Sequence, residues 1–491
     1  MRKLKLCMLT SEMMPFAKTG GLADVAGALA LELAQLGHEV RPFMPLYRSV
    51  RQGSWRFEPV PAVQSVALAI GTTKYVFSLL TARFEGTGVD AWFVDCPELF
   101  DRASLYTTDP DEHLRFLLFT RAVIESCQRL KFAPDIFQCN DWHAALLPLL
   151  LRTVYSGQRL FAGTRSVLTI HNIGYQGIMT ASAVADLGLG ADEALLDPVD
   201  LANGIINPLK NGIKLADAVS TVSPTYAREI CAAPLGMGME QVLRERVDGV
   251  TGILNGVDYR EWDPRVDPKL NVHFGPGDLA GKGANKRQVL AAHKLPFSAS
   301  RPLISIVSRL TDQKGFDLLF DALPDLLQRR DFNLIVLGSG EVRYEKFFGG
   351  LARRFADRVG FRSGYDEALA HLMEAGGDMF LMPSRYEPCG LNQMYSLRYG
   401  TIPIVHRTGG LADSVQHFDP ASGAGTGCVF NDFDATAIAW ALNTTLDWFA
   451  DPLLWRRLMS NAMAQDFSWS RQIGQYEALF RRVHGAPDNS A

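Results

Sequence analysis

The feature that most constrains this fold is an alternation of short apolar runs with longer helical stretches, which occurs in two series. The first series opens with Leu4–Leu9, a helical stretch at Gly20–Gly37 and a second apolar run at Glu39–Met44. The second series restarts after Pro302 with the run Leu303–Val307. Alternating strands and helices predict parallel sheets that carry helices on both faces. At 491 residues the chain is too long for one ordinary core, so two domains, or three, are expected.

Further short apolar runs predict strands at Val63–Ile70, Tyr75–Leu80, Ala91–Val94, Ile136–Cys139, Val167–Ile170, Val219–Val222, Leu334–Leu337, Met379–Met382 and Ile402–Val405. Helices are predicted at Leu114–Leu130, Leu201–Leu215, Phe316–Gln328 and Ala435–Trp448. Between the two series, Asn255–Phe297 is rich in Pro, Gly, Asp and Lys and is interpreted as a linker with a variable loop. Because binding crevices in open parallel sheets lie at the carboxyl ends of strands, function is expected in the loops that follow them.

Composition narrows the class of protein. The formal net charge is −4, so the chain lacks the basic surplus of a dedicated nucleic-acid binder. Seven scattered cysteines without a C-x-x-C spacing favour reduced thiols in a cytoplasm over a disulfide framework. The apolar start is interrupted at Thr10, too early for a signal peptide, and no run approaches ~20 apolar residues, so no membrane span is expected.

Two glycine-rich segments echo each other. Lys18-Thr-Gly-Gly-Leu-Ala-Asp24 recurs as Arg407-Thr-Gly-Gly-Leu-Ala-Asp413, and each is a cation, two glycines and an acid entering a helix. Paired glycines let backbone N–H groups approach a ligand, and a helix N-terminus favours negative charge. The first segment is therefore interpreted as a phosphate site assisted by Lys18. The alternative is a plain turn in which Asp24 complements the helix dipole.

Two loops of the second series combine cations with a carboxylate. In Ser308-Arg-Leu-Thr-Asp-Gln-Lys-Gly315, Arg309 and Lys314 can both face a diphosphate, although exposed cations near a helix start are common. In Ser384-Arg-Tyr-Glu-Pro-Cys-Gly-Leu-Asn-Gln393, Pro388 holds Glu387 extended, where its carboxylate can accept sugar hydroxyl hydrogens. The alternative for this segment is an ordinary helix start with a buried Cys389.

Three polar loops of the first half complete the candidate site. His171-Asn-Ile-Gly-Tyr-Gln-Gly177 places hydrogen-bonding groups after a strand, although a lone histidine is more often structural. In Asn140-Asp-Trp-His143, Trp142 can stack on a sugar and Asp141 can bind hydroxyls, or Trp142 is core and Asp141 a helix cap. Asn255-Gly-Val-Asp258 closes the first half and is a functional loop or only a turn.

Taken in order along the chain, these motifs resemble the bacterial glycogen synthases and plant starch synthases. The resemblance spans nearly the whole sequence. It implies an α/β GT-B fold, in which two Rossmann-like domains carry parallel sheets that face a deep interdomain cleft. The implied divisions are residues 1–254, residues 255–467, and a helix with a short tail at residues 468–491 that crosses back to the N-terminal domain.

The same resemblance implies the chemistry. The enzyme transfers glucose from ADP-glucose to the non-reducing end of an α-1,4-glucan such as glycogen, with retention of configuration. Catalytic roles fall to Glu387, His171, Arg309, Lys314 and Asp24. Substrate contacts fall to Lys18, Gly20, Gly21, Asn172, Asn255, Cys389, Gly390, Leu391, Thr408 and Gly409, with Tyr106, Asp141 and Trp142 as acceptor contacts. The wider retaining pattern places a second glutamate after Glu387, but Tyr395 stands there, which favours the bacterial glycogen synthase branch.

Preorganised cations aimed at the departing diphosphate are expected to supply most of the rate, with no metal or other cofactor. A metal-dependent transferase would use acidic pairs such as Asp109/Asp111 or Asp432/Asp434, and a dehydrogenase would need a G-x-G-x-x-G that is missing after the strands. A UDP-glucose-dependent or other retaining glucosyltransferase is the alternative within the class, and a non-catalytic glucan-binding or nucleotide-binding protein the alternative outside it. The sequence does not decide the oligomeric state.

Overall fold

The computed structural model describes residues 2–485 and divides the chain into two compact units. Within the described residues, unit 1 consists of residues 2–222, Ala227–Ile253 and residues 472–485. Unit 2 consists of Ser223–Tyr226 and Leu254–Arg471. Of the C-terminal segment expected at residues 468–491, residues 486–491 lie outside the described part of the chain.

The strands up to residue 253 are β1 (Lys5–Leu9), β2 (Glu39–Pro45), β3 (Glu58–Pro59), β4 (Val66–Ile70), β5 (Thr73–Arg83), β6 (Asp90–Asp95), β7 (Ile136–Asn140), β8 (Arg165–Ile170), β9 (Met179–Thr180), β10 (Ile205–Ile206), β11 (Ala218–Thr221) and β12 (Val250–Gly252). The helices are α1 (Gly21–Gln35), α2 (Arg48–Arg51), α3 (Pro97–Phe100), α4 (Glu112–Arg129), α5 (Asp141–Ala144), α6 (Leu147–Arg152), α7 (Val184–Leu187), α8 (Pro198–Ala202), α9 (Pro208–Leu215), α10 (Pro224–Glu229) and α11 (Glu240–Arg244).

The large sheet of unit 1 has the strand order β12-β11-β8-β7-β1-β2-β6-β5-β3, with β4 paired to β5. The strands from β12 to β6 run parallel, and β1, near the middle, pairs with β2 on one side and β7 on the other. Because the chain order reverses between β1 and β7, the loops after these two strands flank a switch point, where open α/β sheets bind ligands. Buried apolar side chains such as Leu6, Met8 and Phe137 explain why these strands lie inside.

The strands of unit 2 are β13 (Leu303–Val307), β14 (Asn333–Leu337), β15 (Val359–Arg362), β16 (Met379–Met382), β17 (Ile402–His406) and β18 (Cys428–Phe430). The remaining helices are α12 (Ala280–Ala292), α13 (Leu319–Arg329), α14 (Val342–Arg354), α15 (Glu367–Gly376), α16 (Asn392–Tyr399), α17 (Gly409–Ser414), α18 (Ala435–Phe449), α19 (Pro452–Met463) and α20 (Trp469–His484).

The sheet of unit 2 is wholly parallel and has the order β15-β14-β13-β16-β17-β18. Numbered from its first strand this is 3-2-1-4-5-6, the Rossmann order. Its switch point lies between β13 and β16, so the loops that begin at Ser308 and Pro383 emerge side by side. The prediction of parallel α/β units is therefore confirmed for both halves.

Three expectations about local structure are wrong. The helix expected at Leu201–Leu215 is interrupted, because Asn203-Gly204 ends α8 with Gly204 at φ +73° and Asn207 caps a new helix at Pro208. The expected linker Asn255–Phe297 contains α12, whose Val289 and Leu290 are buried. The hairpin of β4 and β5 is antiparallel, because its tight turn at residues 71–72 leaves no room for a crossover.

The C-terminal helix α20 begins in unit 2 and continues in unit 1. In unit 1 it buries Ile473, Tyr476, Leu479 and Phe480. No helix among residues 2–485 is both long and apolar enough to span a bilayer.

Candidate active site

The loop between β1 and α1 holds the first sequence-predicted group. The Nζ atom of Lys18 lies 2.7 Å from Oδ1 of Asp24, and both side chains are partly exposed. Gly20, in extended backbone, precedes α1, and Gly21 is its first residue. The loop therefore places the cation and the acid of this motif together at the start of a helix.

Glu12 occupies the amides of this loop, which the sequence interpretation missed. Its Oε2 accepts hydrogen bonds from Thr19 N, Thr19 Oγ1 at 2.8 Å and Gly20 N at 3.2 Å. Burial raises the pKa of Glu12, and the nearby Asp24 raises it further, while the bonds from Thr19 and Gly20 oppose the shift. The N–H groups that the sequence offered to a phosphate are thus bound to a buried carboxyl of the same unit.

His171 lies at the end of β8, where its proton position follows from its neighbours. Nδ2 of Asn140 donates to Leu9 O at 2.9 Å and Gln138 Oε1 at 2.8 Å, which fixes Oδ1 of Asn140 as the acceptor. Nε2 of His171 lies 2.8 Å from that oxygen and must donate to it. Burial lowers the pKa of His171 to about 3, so the ring is neutral and its Nδ1 is an acceptor.

Asp141 positions the loop that carries His171. Its Oδ1 accepts from His171 N at 2.7 Å and from Asn172 N at 3.3 Å, across 30 residues of sequence. It is the first residue of α5, at φ +53°, and its carboxyl binds the neighbouring loop rather than capping its own helix. Burial raises the pKa of Asp141 to about 7, with a smaller contribution from Glu12.

Tyr106 and Trp142 form part of an aromatic group beside these residues. The hydroxyl of Tyr106 lies 2.8 Å from Ser11 Oγ, and its ring stacks on His143 with centroids 5.0 Å apart. Trp142 packs on Phe116 at 5.0 Å. Gly177 has φ +68°, and a Cβ there would lie 2.2 Å from Cε3 of Trp142, so only glycine lets the loop cover the indole. Trp142 remains partly exposed.

In unit 2, Lys314 and Glu387 meet at the switch point. Nζ of Lys314 lies 2.6 Å from Oε2 of Glu387, and Ser384 Oγ donates to the same oxygen at 2.8 Å. Lys314 comes from the loop after β13 and Glu387 from the loop after β16. The two predicted loops of the second series therefore meet at this ion pair. The residue Glu387 is 6% exposed, which makes this a largely desolvated pair.

Backbone contacts lock the two loops together. Arg385 N donates to Gln313 O at 2.9 Å. Gly315 has φ +69°, and a Cβ there would lie 2.0 Å from Pro383 O, which requires glycine at this position. Arg309 lies in the same loop as Lys314 and is exposed.

The second Thr-Gly-Gly segment packs directly on the backbone of Glu387. Gly410 N lies within hydrogen-bonding distance of Glu387 O at 3.1 Å and Pro388 O at 3.2 Å. Thr408, which is buried, precedes α17, and Gly409 has φ +42° with space only for hydrogen beside Glu387 O. This turn therefore fixes the position of the backbone that carries Glu387.

The residues after Glu387 complete the group in unit 2. Burial raises the pKa of the Cys389 thiol to about 12, although hydrogen bonding with Asn255 opposes the shift. Gly390 has φ +70° and Leu391 precedes α16. Gln393, another residue that the motif analysis did not single out, donates from Nε2 to Cys389 O and Gly390 O, both at 3.0 Å.

Three of the four carboxyls considered for a metal have other partners. Asp109 and Asp111 both accept from Arg102, at 2.7 and 2.9 Å. Asp434 accepts from Ala437 N at 2.8 Å and caps α18. Within residues 2–485 no group of three or more His, Cys, Asp or Glu has a metal-binding arrangement.

The sequence-predicted residues thus form one group in each unit. Glu12, Asn140, Ser384 and Gln393 were missed as functional positions. Asn140 was quoted in its motif, and Ser384 and Gln393 bounded theirs, so adjacency to a predicted residue was an available signal. Glu12 gave no such signal, because its role depends on a loop that folds back over it.

Comparison with known proteins agrees with this geometry. Residues 5–245 match the family described as starch synthase catalytic domain, and residues 291–454 match glycosyl transferases group 1. The chain is 43% identical to glycogen synthase of Koribacter versatilis over 98% of each chain. It is 42% identical to glycogen synthase of Anaeromyxobacter dehalogenans, covering 98% of this chain and all of the other.

Solved structures give the same result. The catalytic domain of starch synthase IV from Arabidopsis thaliana, bound to ADP and acarbose, superposes with a TM-score of 0.91 at 34% identity, covering 99% of this chain and 100% of that one. Sucrose-phosphate synthase from Thermosynechococcus elongatus shares the fold, with a TM-score of 0.58 at 19% identity over 99% of this chain and all of that one. The chain has the GT-B fold and belongs to the glycogen and starch synthase family of retaining glucosyltransferases.

Proposed function

We propose that this chain transfers glucose from ADP-glucose to the non-reducing end of an α-1,4-glucan, with retention of configuration. Three comparisons support the proposal: the family match, the glycogen synthase relatives, and ADP bound in the starch synthase IV structure. The observation that carries it is the Lys314–Glu387 pair at the switch point of unit 2, because it joins a cation suited to phosphate with a carboxylate suited to a sugar hydroxyl.

In the proposed mechanism, the diphosphate of the donor lies against Arg309 and Lys314. As the bond to the anomeric carbon breaks, negative charge grows on the leaving phosphate, and preorganised cations stabilise it without moving. Lys314 is already held by Glu387, so little side-chain entropy remains to be lost when the donor binds. Glu387, Cys389, Gly390 and Leu391 are proposed to line the position of the sugar-phosphate.

The loops of unit 1 are proposed to contact the glucosyl group and the acceptor. His171, protonated on Nε2, presents Nδ1 as an acceptor for a sugar hydroxyl. Asp24 and Lys18 offer one acceptor and one donor, and Trp142 offers an apolar ring face of the kind that sugars stack on.

Retention is proposed to occur by attack on the same face from which the diphosphate leaves. A double displacement would need a nucleophilic carboxylate paired with an acid/base carboxyl at ~5–5.5 Å. Glu387, the carboxyl of the unit 2 loops that pairs with Lys314, also accepts from Ser384, and these bonds lower its availability as a nucleophile. The leaving phosphate would instead take the proton of the acceptor hydroxyl.

The test is transfer of labelled glucose to glycogen from a panel of donors that includes ADP-glucose and UDP-glucose. The expected result is chain elongation from ADP-glucose, with product that β-amylase digests because the new bonds are α-1,4. The Lys314→Met variant is the matched inactive control. Failure of every activated glucose to extend glycogen would refute the proposal, and elongation from UDP-glucose alone would replace the donor.

The location, partners and domain boundaries of the enzyme are also proposals. The chain is proposed to act as a cytoplasmic enzyme, without nucleic-acid or membrane partners. The division into residues 1–254, 255–467 and 468–491 also stays a proposal for the boundaries of the working domains.

A further inference from the structure

Unit 2 contains a cavity of about 620 Å³ that is remote from the loops described above. It is bounded by α12, the segment before β13, the end of α18 and the start of α19. Pro302, which precedes β13, and Asp378, which precedes β16, lie in its wall. The cavity is therefore at the amino ends of these strands, whereas Lys314 and Glu387 follow their carboxyl ends. Its volume is in the range of small-molecule sites, roughly 300–1,000 Å³.

The wall of the cavity has aromatic and aliphatic faces. Phe297, Phe449 and Trp455 line it, with the rings of Phe449 and Trp455 5.1 Å apart in an edge-to-face arrangement. Among the lining side chains, all of them in the described part of the chain, Ser300 carries the one neutral hydroxyl and none carries a carboxamide. A polyhydroxylated sugar would leave most of its hydroxyls unpaired there, so the wall favours a flat apolar body.

Two cations of the cavity are available to an anion. Lys286 is 5% exposed, and its Nζ donates to Arg301 O at 2.8 Å and lies 2.7 Å from Asp378 Oδ2, which engages two of its three N–H groups. Arg456 lines the cavity, is exposed, and makes no ion pair or side-chain hydrogen bond with residues 2–485.

The other two basic residues of the wall are already engaged. Lys282 directs its three N–H groups to Ala375 O, Tyr399 O and Thr401 Oγ1, so its role is structural. Arg330 directs its Nη1 to Asn443 Oδ1 at 3.2 Å and its Nη2 to Asp447 at 2.6 Å, and both of these partners lie outside the wall. Lys286 therefore keeps one N–H group for a ligand beside its ion pair with Asp378, and Arg456 offers its whole guanidinium. The ring of Phe449 lies beside this position, with its centroid 5.5 Å from Lys286 Nζ.

We propose that this cavity binds a small anion with a planar apolar body, its ring against Phe297 and Phe449 and its charged group at Lys286 and Arg456. An aromatic carboxylate and a nucleoside monophosphate share this chemistry. Because the cavity lies at the opposite edge of the sheet from Lys314 and Glu387, such a ligand would bind together with a nucleotide sugar rather than compete with it.

Gly283 offers a clean way to close the cavity. It lies on α12 in the wall, and a Cβ added there meets no atom within 4 Å. Gly283→Trp would fill the space, and Gly283→Ala is its matched control. Ala291→Trp places the same bulky ring on an exposed position of α12 outside the cavity. On α19, Arg456→Gln removes a lining cation, and its neighbour Arg457→Gln removes a cation that is not in the wall.

The experiment is a fluorescence titration of the full chain, without added nucleotide, with 8-anilino-1-naphthalenesulfonate, a planar aromatic anion. We expect one saturable site that Gly283→Trp weakens at least about 10-fold, the loss that follows when one charged hydrogen bond is prevented. Gly283→Ala, Ala291→Trp and Arg457→Gln should bind as the parent chain does, and Arg456→Gln should bind about 3-fold more weakly. Circular dichroism verifies that each variant is folded.

Displacement of the probe then identifies the ligand class. Phenyl phosphate should displace it, whereas inorganic phosphate and maltose at the same concentration should not. Displacement by AMP would support a nucleotide source and displacement by benzoate an aromatic acid. Equal binding to Gly283→Trp and the parent chain would overturn the proposal, and so would displacement by inorganic phosphate as effective as that by phenyl phosphate. Neither result depends on the glucosyl-transfer proposal, because the cavity variants alone define the site.

Discussion

The two copies of Thr-Gly-Gly-Leu-Ala-Asp begin alike and are used differently. In unit 1 the acid and the cation of the motif pair with each other, Lys18 with Asp24, and the amides of Thr19 and Gly20 bind the buried carboxyl of Glu12. In unit 2 the acid of the motif, Asp413, instead accepts from Thr225 N at 2.7 Å and Thr225 Oγ1 at 2.6 Å.

The glycines differ as well. Gly20 has φ −152°, which any residue adopts, whereas Gly409, at the same place in the motif, has φ +42°. The comparison teaches that the seven-residue motif determines a turn that leads into a helix. The residues packed around the motif determine what the turn binds. In unit 1 the turn holds its own cation, and in unit 2 it supports a separate pair, Lys314 and Glu387.

Replacing the two lysines tests the difference between the two units most strongly. In the Lys314–Glu387 pair the carboxylate side chain is 7% exposed, but in the Lys18–Asp24 pair it is 24% exposed. Lys314→Met should lower kcat roughly 10²–10³-fold, since it removes a preorganised charge and leaves a buried carboxylate unpaired. Lys18→Met should lower kcat only about 10-fold, because water still solvates Asp24. Steady-state kinetics with a labelled donor measures both.

Arg407→Gln is the control for this series. Arg407 is the cation of the second motif copy, is exposed, and donates to Asn431 Oδ1 at 2.6 Å. It should retain kcat within about 2-fold, the range of a surface charge. If Lys18→Met and Lys314→Met lost equal activity, burial would not explain the difference between the two units.

The glycines provide the next test. Gly409→Ala should lower the free energy of unfolding by at least about 3 kcal/mol, because it combines a left-handed backbone with a Cβ pressed on Glu387 O. Gly20→Ala should change it by less than about 1 kcal/mol, since its Cβ would lie 3.5 Å from Glu12 Oε1 in ordinary contact. Urea denaturation followed by circular dichroism measures both variants. A stable Gly409→Ala protein would contradict the close packing on the Glu387 loop.

A third test concerns the buried acids of unit 1, which bind amides rather than a lysine. Because the pKa of Asp141 rises from 3.8 to about 7 on folding, the folded chain binds this proton more tightly than the unfolded chain. Stability therefore falls as pH rises between these values. Asp141→Asn lacks this titration, so its free energy of unfolding should not show this fall. Relative to the parent chain, the variant should gain on the order of a few kcal/mol of stability between pH 4 and 8.

The same variant preserves the geometry. Both amide bonds to Asp141 end on Oδ1, so an asparagine oxygen can accept them and hold the His171 loop in place. Urea titrations of both proteins at several pH values give the difference curve. A constant difference across this range would show that Asp141 does not titrate there.

The smallest effect is expected from thiol chemistry. Cys231 in unit 1 is half-buried, whereas Cys389 in unit 2 is buried and its pKa is raised to about 12. Iodoacetamide at pH 8 should modify Cys231 first, with no loss of activity, because the thiolate is the reactive form and needs access. Peptide mass spectrometry identifies the modified residue. Early labelling of Cys389 would show that its loop opens in solution.

The switch-point loops could be predicted from sequence because each follows a short apolar strand. β13 and β16 have the predicted bounds, and the residues after them, Lys314 and Glu387, form the pair that the motifs indicated. The sequence could not predict contacts between residues that come together only when a loop or helix packs in the folded chain. Glu12 becomes part of the site only when a loop folds over it, and α12 is a helix despite Gly281 and Gly283, which have low helix propensity. Its packing on the sheet overrides that propensity.

The route of the last helix has a consequence for synthesis. Glu477 bonds to Arg481 and lies 3.3 Å from His38, and Arg481 Nη1 donates to Arg2 O, so unit 1 joins α20 to residues that precede it by more than 400 positions. A ribosome delivers residues 1–253 first, yet their fold is incomplete until Gln472–His484 emerge, after all of unit 2. Unit 1 is therefore synthesised first but completed after unit 2, and deletion of Gln472–His484 should destabilise unit 1 rather than unit 2.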